Sequence, residues 1–258
     1  MKTVTVDDLK GLILPKSGSH KGQNGRLLII GGSHLFHAAS LWALEVASRI
    51  VDLVHYSSVP ENNALVKKEF RNGIVVPRSD VEAYIKEDDC ILIGPGMTRD
   101  SETETLTNTL LKKYPQKQWV IDAGSLQMMD VNLIPKNAIL TPHHGEFSRV
   151  FGNAEVSDVA KKYNCIILLK SEFDIAASPT EVRKIEGGNE GMTKGGTGDV
   201  LAGLIAALAC KNEPFLATIA GSFINKKAGD ELYKSVGPFF NASDLAAQIP
   251  KTMKEMLI

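Results

Sequence analysis

Paired cysteines are missing from this chain. Its 258 residues include only Cys90, Cys165 and Cys210, far apart and each inside an apolar stretch. Disulfide frameworks and zinc sites need closely spaced thiols in pairs, so free, buried thiols in a reducing compartment are expected. A charge excess is missing as well. Lys and Arg number 29 against 30 Asp and Glu, a net charge of −1. That balance removes the electrostatic reason to expect nucleic acid or an anionic membrane as partner. Long apolar runs are absent too. Met1–Lys10 has no apolar core of signal-peptide length, and Val200–Cys210 is too short to cross a bilayer. A soluble cytoplasmic protein is expected.

What is present is a large apolar fraction. At 43% hydrophobic residues the chain can bury a core without staples. No repeat, low-complexity tract or linker divides it, and its length suits one large α/β domain over residues 1–258. Arg26–Ile30, Val51–Tyr56, Cys90–Ile93, Trp119–Ile121, Ala138–Leu140 and Cys165–Leu169 read as strands. Several are apolar throughout, as strands covered on both faces should be. Ala38–Ile50, Thr103–Lys113 and Gly145–Phe151 read as helices between them. This alternation predicts a central, mostly parallel sheet with helices on both faces. Further on, Asp174–Ala177 and Val182–Ile185 suggest a β-hairpin, and Asp199–Ala209 and Phe215–Tyr233 suggest two apolar helices. Asp199–Ala209 is apolar on nearly every side and should be a central buried helix.

The densest chemical signal is Gly191-Met192-Thr193-Lys194-Gly195-Gly196-Thr197-Gly198-Asp199-Val200, which runs into that buried helix. Glycines let a ligand approach the backbone, and free N–H groups at a helix start converge where the dipole favours an anion. Asp199 would accept a proton or hydrogen bond from whatever sits there. A plain N-cap would also explain Asp199, but it would not require four glycines in eight residues. The segment lacks the Gly-Lys-Ser/Thr of a Walker A loop and follows no parallel strand as a dinucleotide fingerprint does.

Gly195-Gly196-Thr197-Gly198-Asp199 resembles the anion-hole motif of the ribokinase-like superfamily. With Gly188-Asn189-Glu190-Gly191-Met192, the string is similar to one branch, the NAD(P)H-hydrate dehydratases. Gly31-Gly32-Ser33, Gly94-Pro95-Gly96, Thr141-Pro142-His143-His144-Gly145-Glu146-Phe147, Leu168-Leu169-Lys170 and Ala242-Ser243-Asp244-Leu245 match the family in the same order. The resemblance runs from about residue 15 to residue 250 and implies a ribokinase-like α/β fold.

Each further motif also has a plainer reading. Gly94-Pro95-Gly96 is a tight turn by spacing alone, and Ala38-Ala39 is ordinary helix packing. The resemblance puts Gly96 and Ala39 against the dinucleotide substrate. Adjacent His143 and His144 point opposite ways in an extended segment and have no third ligand nearby, which disfavours zinc. The family motif selects His143 for a substrate contact. Glu146 suits the first turn of a helix, and the resemblance implies that it faces the phosphates and holds Mg²⁺ through water. Lys170 closing a strand could simply snorkel. The resemblance makes Lys170, Ser171, Glu172, Phe173, Asp174 and Gly198 the adenine-nucleotide contacts. The Lys67-Lys68 and Lys112-Lys113 clusters read as solvated faces. Four positions depart from the family pattern: Gly124 replaces an aspartate, while Ser171, Thr98 and Ala38 replace glycines.

The implied reaction restores NADH or NADPH from its hydrate. Asp199 takes the ring hydroxyl's proton as the terminal phosphoryl of ADP or ATP arrives. The amides of Gly196, Thr197 and Gly198, with Mg²⁺, stabilise the moving charge, and phosphate then leaves. The residues themselves support only phosphoryl transfer to a hydroxyl. A small-molecule kinase of the hydroxyethylthiazole type would keep Gly195–Asp199 without the other motifs. A non-catalytic nucleotide-binding protein has the four departures in its favour and the intact Asp199 against it. The family uses ADP in prokaryotes and ATP in eukaryotes, and a compact chain with no attached epimerase domain favours ADP. Prokaryotic relatives form tetramers, so a homo-oligomer is expected.

Overall fold

Apolar strands dominate the centre of this molecule because their side chains are covered from above and below. In the computed structural model, which describes residues 1–258, one sheet contains ten strands: β1 (Lys2–Thr3), β2 (Arg26–Ile30), β3 (Leu53–Ser57), β4 (Ile74–Val75), β5 (Cys90–Ile93), β6 (Gln118–Ile121), β7 (Ile139–Leu140), β8 (Ile166–Leu169), β9 (Asp174–Ala177) and β10 (Val182–Ile185). Their order is β1-β10-β9-β8-β7-β6-β5-β2-β3-β4. From β8 to β4 all pairs are parallel, while β9 runs antiparallel to both of its neighbours. The expected mostly parallel sheet is present, and so is the hairpin β9–β10.

The pleat sorts side chains into two cores. Leu27 and Ile29 of β2 face one, with helices α1 (His37–Ala47), α8 (Thr197–Ala209), α9 (Pro214–Val236) and α10 (Ala242–Leu257). Leu28 and Ile30 face the other, with α3 (Val81–Glu87), α4 (Ser101–Lys113), α5 (Ala123–Met128), α6 (His144–Phe151) and α7 (Val156–Tyr163). Helix α2 (Pro60–Glu69) lies toward the β4 edge. Helix α8 is buried nearly all round, as expected. It comes so close to α1 that a Cβ on Gly203 would stand 2.6 Å from the Ala43 Cα.

Several element boundaries differ from the sequence reading by one to three residues. Helix α1 ends at Ala47 rather than Ile50, where the chain tightens into a turn, and β3 is Leu53–Ser57 rather than Val51–Tyr56. Helix α10 was not read as a helix from the sequence, which offered only the motif Ala242–Leu245 at its start. It runs on through Pro250, a residue that ordinarily ends a helix. All three cysteines are free and buried. No helix is long and apolar enough to cross a membrane.

After β2 the chain moves outward to β3 and β4, then returns to the other side of β2 as β5. Such a reversal opens a crevice beyond the carboxyl ends of the two strands that flank it. Here those ends are the glycine turns at Gly31-Gly32 and Gly94–Gly96, joined by the Gly32 N–H donating to the Pro95 carbonyl at 2.7 Å.

Candidate active site

The site is assembled where α8 begins, facing the carboxyl ends of β6 and β8. Gly196 precedes the helix at φ +98°, and a Cβ there would lie 2.4 Å from the Trp42 ring. Glycine is therefore required for both backbone and space. The Thr197 hydroxyl donates to the carbonyls of Met192 (2.7 Å) and Lys194 (2.9 Å), and its N–H also turns back to Lys194. Thr197 thus ties the loop into its shape. The amides of Gly196, Gly198 and Asp199 donate to no backbone carbonyl, a nest of N–H groups of the kind that suits an anion; of the Gly196–Gly198 set expected, only the Thr197 N–H is turned back into the loop.

Asp199 stands beside these amides. Burial, then the nearby negative charge of Asp122, push its carboxyl up to about 7, with Lys170 pulling it down and Glu146 adding to the rise. Lys170 reaches the same point from the end of β8. Its ammonium donates to Asp122 Oδ1 at 3.2 Å and lies 3.5 Å from where a Cβ on Gly198 would be. Burial works against the ammonium, but Asp122, Glu146 and Asp199 outweigh it and hold its pKa above the ordinary value. Asp122 is buried at the end of β6 and also accepts from the Thr141 hydroxyl at 2.8 Å.

His143 caps α6. Its Nδ1 accepts from the N–H groups of Gly145 and Glu146, while Nε2, on a largely exposed side chain, lies 3.6 Å from Glu146 Oε2. Glu146 is 6% exposed; its oxygens accept from Gln127 Nε2 at 3.1 Å and from the His143 N–H at 2.9 Å. Each oxygen keeps a lone pair, and the charge is felt at Asp199 and Lys170. His and acidic side chains form no cluster of three that could hold a metal alone.

Gly96 and Ala39 meet at the crevice. A Cβ on Gly96, at φ +72°, would stand 2.5 Å from the Phe36 carbonyl oxygen and 3.0 Å from the Ala39 Cβ. The departure at Gly124 has a packing reason: a Cβ there would lie 2.2 Å from the Met97 carbonyl oxygen. Thr98, Ser171 and Ala38 all sit at negative φ, so their lost glycines leave no backbone strain.

Beside the nest lies a cavity of about 620 Å³, within the range of small-molecule sites. Lys170, Ser171, Glu172, Asp174 and Gly198, read from the sequence as nucleotide contacts, are brought together along its lining. Phe173 does not, because its ring lies outside under the Lys184 ammonium, 4.3 Å from it. The Asp174 carboxylate serves the wall itself, accepting from the Ser171 N–H (3.0 Å) and Ser222 hydroxyl (2.7 Å) and pairing with Lys226 (3.3 Å). The opposite wall, Gly188–Thr193, is pinned by Asp230, which accepts from the Gly188 N–H at 3.0 Å and from Asn189 Nδ2 at 3.3 Å.

Four contributors had no role in the sequence reading. Asp122 had a usable signal, an acidic residue closing an apolar strand just as Lys170 does. Asn225, Lys226 and Asp230 had none, because they sit in mid-helix and nothing in their local spacing marks a site.

Residues 27–251 match the family model for NAD(P)H-hydrate dehydratase. The chain is 37% identical to the bifunctional NAD(P)H-hydrate repair enzyme of Methanocaldococcus jannaschii, with 96% of this chain and 52% of that protein covered. It therefore spans about half the length of this and similar bifunctional relatives. It is 34% identical to the ADP-dependent (S)-NAD(P)H-hydrate dehydratase of Nitrosopumilus maritimus, covering 98% of this chain and 97% of that one. Among solved structures, a ribokinase-like superfamily protein from Enterococcus faecalis superposes with a TM-score of 0.89 at 25% identity, covering 99% of this chain and 96% of that one.

Proposed function

This chain belongs to the NAD(P)H-hydrate dehydratase family, and from that premise we propose that it uses ADP to dehydrate hydrated NADH and NADPH back to the intact cofactors. Hydroxide leaves poorly, so the ring hydroxyl is first made a phosphate ester. Asp199 takes the hydroxyl proton while the hydroxyl oxygen attacks the terminal phosphorus of ADP, and AMP departs with the electron pair of the broken P–O bond. The ring nitrogen then expels phosphate, and the adjacent ring carbon loses a proton to solvent, which restores the ring double bond of the reduced nicotinamide. The observation that carries this reading is a carboxyl poised at about 7 beside amides at a buried helix start that donate to no backbone carbonyl. A general base with a pKa near the working pH is the efficient choice, and preorganised N–H groups stabilise charge building on the phosphoryl oxygens.

The crevice at Gly96 and Ala39 receives the dinucleotide, with His143 Nε2 at its rim. The cavity along Lys170–Asp174 receives the nucleotide. Mg²⁺ fits the donors at hand, since it prefers one or two carboxylates plus substrate phosphates. Glu146 would hold it through water, and the ion would neutralise phosphate charge. ADP as donor is supported by the Nitrosopumilus relative, named as ADP-dependent. The same reading makes residues 1–258 one domain of a cytoplasmic homo-oligomer, a tetramer first. The balanced charge gives it no reason to bind nucleic acid or membrane.

The test is recovery of absorbance at ~340 nm, the band of the intact reduced ring. Protein is mixed with hydrated NADH and Mg²⁺, with ADP, with ATP, or with neither. Recovery with ADP and not without nucleotide is expected. No recovery with either nucleotide from folded protein would reject the dehydratase and point to a kinase acting on another hydroxyl.

A further inference from the structure

Lys170 borders the same cavity as the Gly188–Thr193 segment and lies beside the start of α8. Its backbone extends the sheet one residue past β8, with its N–H donating to the Pro142 carbonyl at 2.8 Å, so the origin of the side chain is fixed. The ammonium ends between Asp122 and Gly198, 3.5 Å from where a Cβ on Gly198 would stand. Of its three N–H donors one is taken by Asp122, and the side chain borders the cavity. Asp122 is itself held by the Thr141 hydroxyl, so the point charge is steered from a rigid strand end.

The neighbouring lysines are committed elsewhere. Lys194 donates to the Pro238 carbonyl and lies over the Phe240 ring. Lys226 is spent on the carbonyls of Ser171 and Glu172 and on Asp174. Around Lys170 stand three carboxylates, those of Asp122, Glu146 and Asp199. A terminal phosphate entering this group needs a cation at the nest.

Resting on the reading of the site as a phosphoryl-transfer centre, we propose that Lys170 is a catalytic cation for the moving phosphoryl group and that Asp122 is the residue positioning it. In the transfer, the acceptor oxygen bonds to the terminal phosphorus of ADP. The bond from that phosphorus to the bridging oxygen breaks, and its electron pair stays on AMP. The acceptor's proton goes to Asp199. Lys170 keeps its own protons and donates hydrogen bonds to the oxygens on which charge accumulates, an interaction stronger in the transition state than in bound ADP.

The experiment compares wild type with Lys170→Met, Asp122→Asn and the double variant. The double variant leaves no unpaired buried carboxylate at position 122 if Lys170→Met alone fails to fold. ADP affinity is read by calorimetry, and kcat by cofactor recovery at saturating ADP. Loss of Lys170, alone or in the double variant, is expected to lower kcat by roughly 10²–10³ while ADP affinity changes far less. A weakened ADP affinity with kcat preserved would overturn the proposal and leave Lys170 a nucleotide anchor. Asp122→Asn is expected to lower kcat less and to move the acid limb of the pH–rate profile to lower pH, because one of the charges opposing Asp199 ionisation is gone. An unmoved limb and unchanged kcat would reject the positioning role. If wild-type protein binds ADP without recovering the hydrate, the functional reading fails on its own. Slow hydrolysis of ADP to AMP and phosphate, with water as acceptor, then carries the same comparison: an equal rate in wild type and Lys170 variants overturns the proposal.

Discussion

At the scale of single residues, Asp199 carries both the chemistry and a cost to the fold. Its folded pKa of about 7 lies above the ~4 of an unfolded carboxyl, so the folded state holds the proton more tightly. Stability therefore falls as pH rises from the unfolded value and is fully lowered above pH 7. Asp199→Asn removes the charge, and thermal melts should show the variant several degrees more stable than wild type at pH 8 and equal to it near pH 4. Equal melting at both pH values would mean that Asp199 is not held in the destabilised environment described. The two nest glycines should separate in the same way. Gly196→Ala meets Trp42 at positive φ and is expected to lower Tm, whereas Gly198→Ala faces only the flexible end of Lys170. Gly198→Ala should keep its Tm and lose ADP affinity in calorimetry by tenfold or more, as a methyl fills the nest. Asp199 and the glycines were legible because their chemistry is local. Asp122 was not, since its meaning comes from Lys170, a partner 48 positions away.

At the scale of elements, α9 is the piece whose function the sequence hid. Its apolar composition announced a core helix, and it is one. One polar group of it nevertheless pins each wall of the nucleotide cavity: Lys226 holds Ser171–Asp174, and Asp230 holds Gly188 and Asn189. Asp230→Ala should loosen only the second wall. Hydrogen exchange over residues 187–193 should rise several-fold and the KM for ADP with it, while kcat at saturating ADP stays near wild type. A fall in kcat with unchanged KM would show that this wall takes part in the reaction itself. The strands were readable because full burial makes them continuously apolar. The polar helix α2, which buries only Asn62 and Val66, leaves too faint a stripe to read.

At the scale of the whole molecule, the reversal of strand order between β2 and β5 and the start of α8 bring two sites together. One is the glycine crevice proposed for the acceptor, the other the amide nest and cavity proposed for the donor. The alternation of strands and helices made the parallel sheet legible, but strand order is a tertiary property, so the crevice could be placed only by resemblance until the topology was known. The account stands on coupling between the two sites, and product stoichiometry tests it most directly. Hydrated NADH, ADP and Mg²⁺ are incubated with wild type and with Asp199→Asn, and NADH, AMP and phosphate are quantified together. Wild type should release one AMP and one phosphate per NADH recovered, and Asp199→Asn should bind ADP yet lose turnover by roughly 10²–10⁴. Recovery of NADH without AMP, or wild-type turnover in the variant, would contradict the phosphoryl-transfer mechanism at its base.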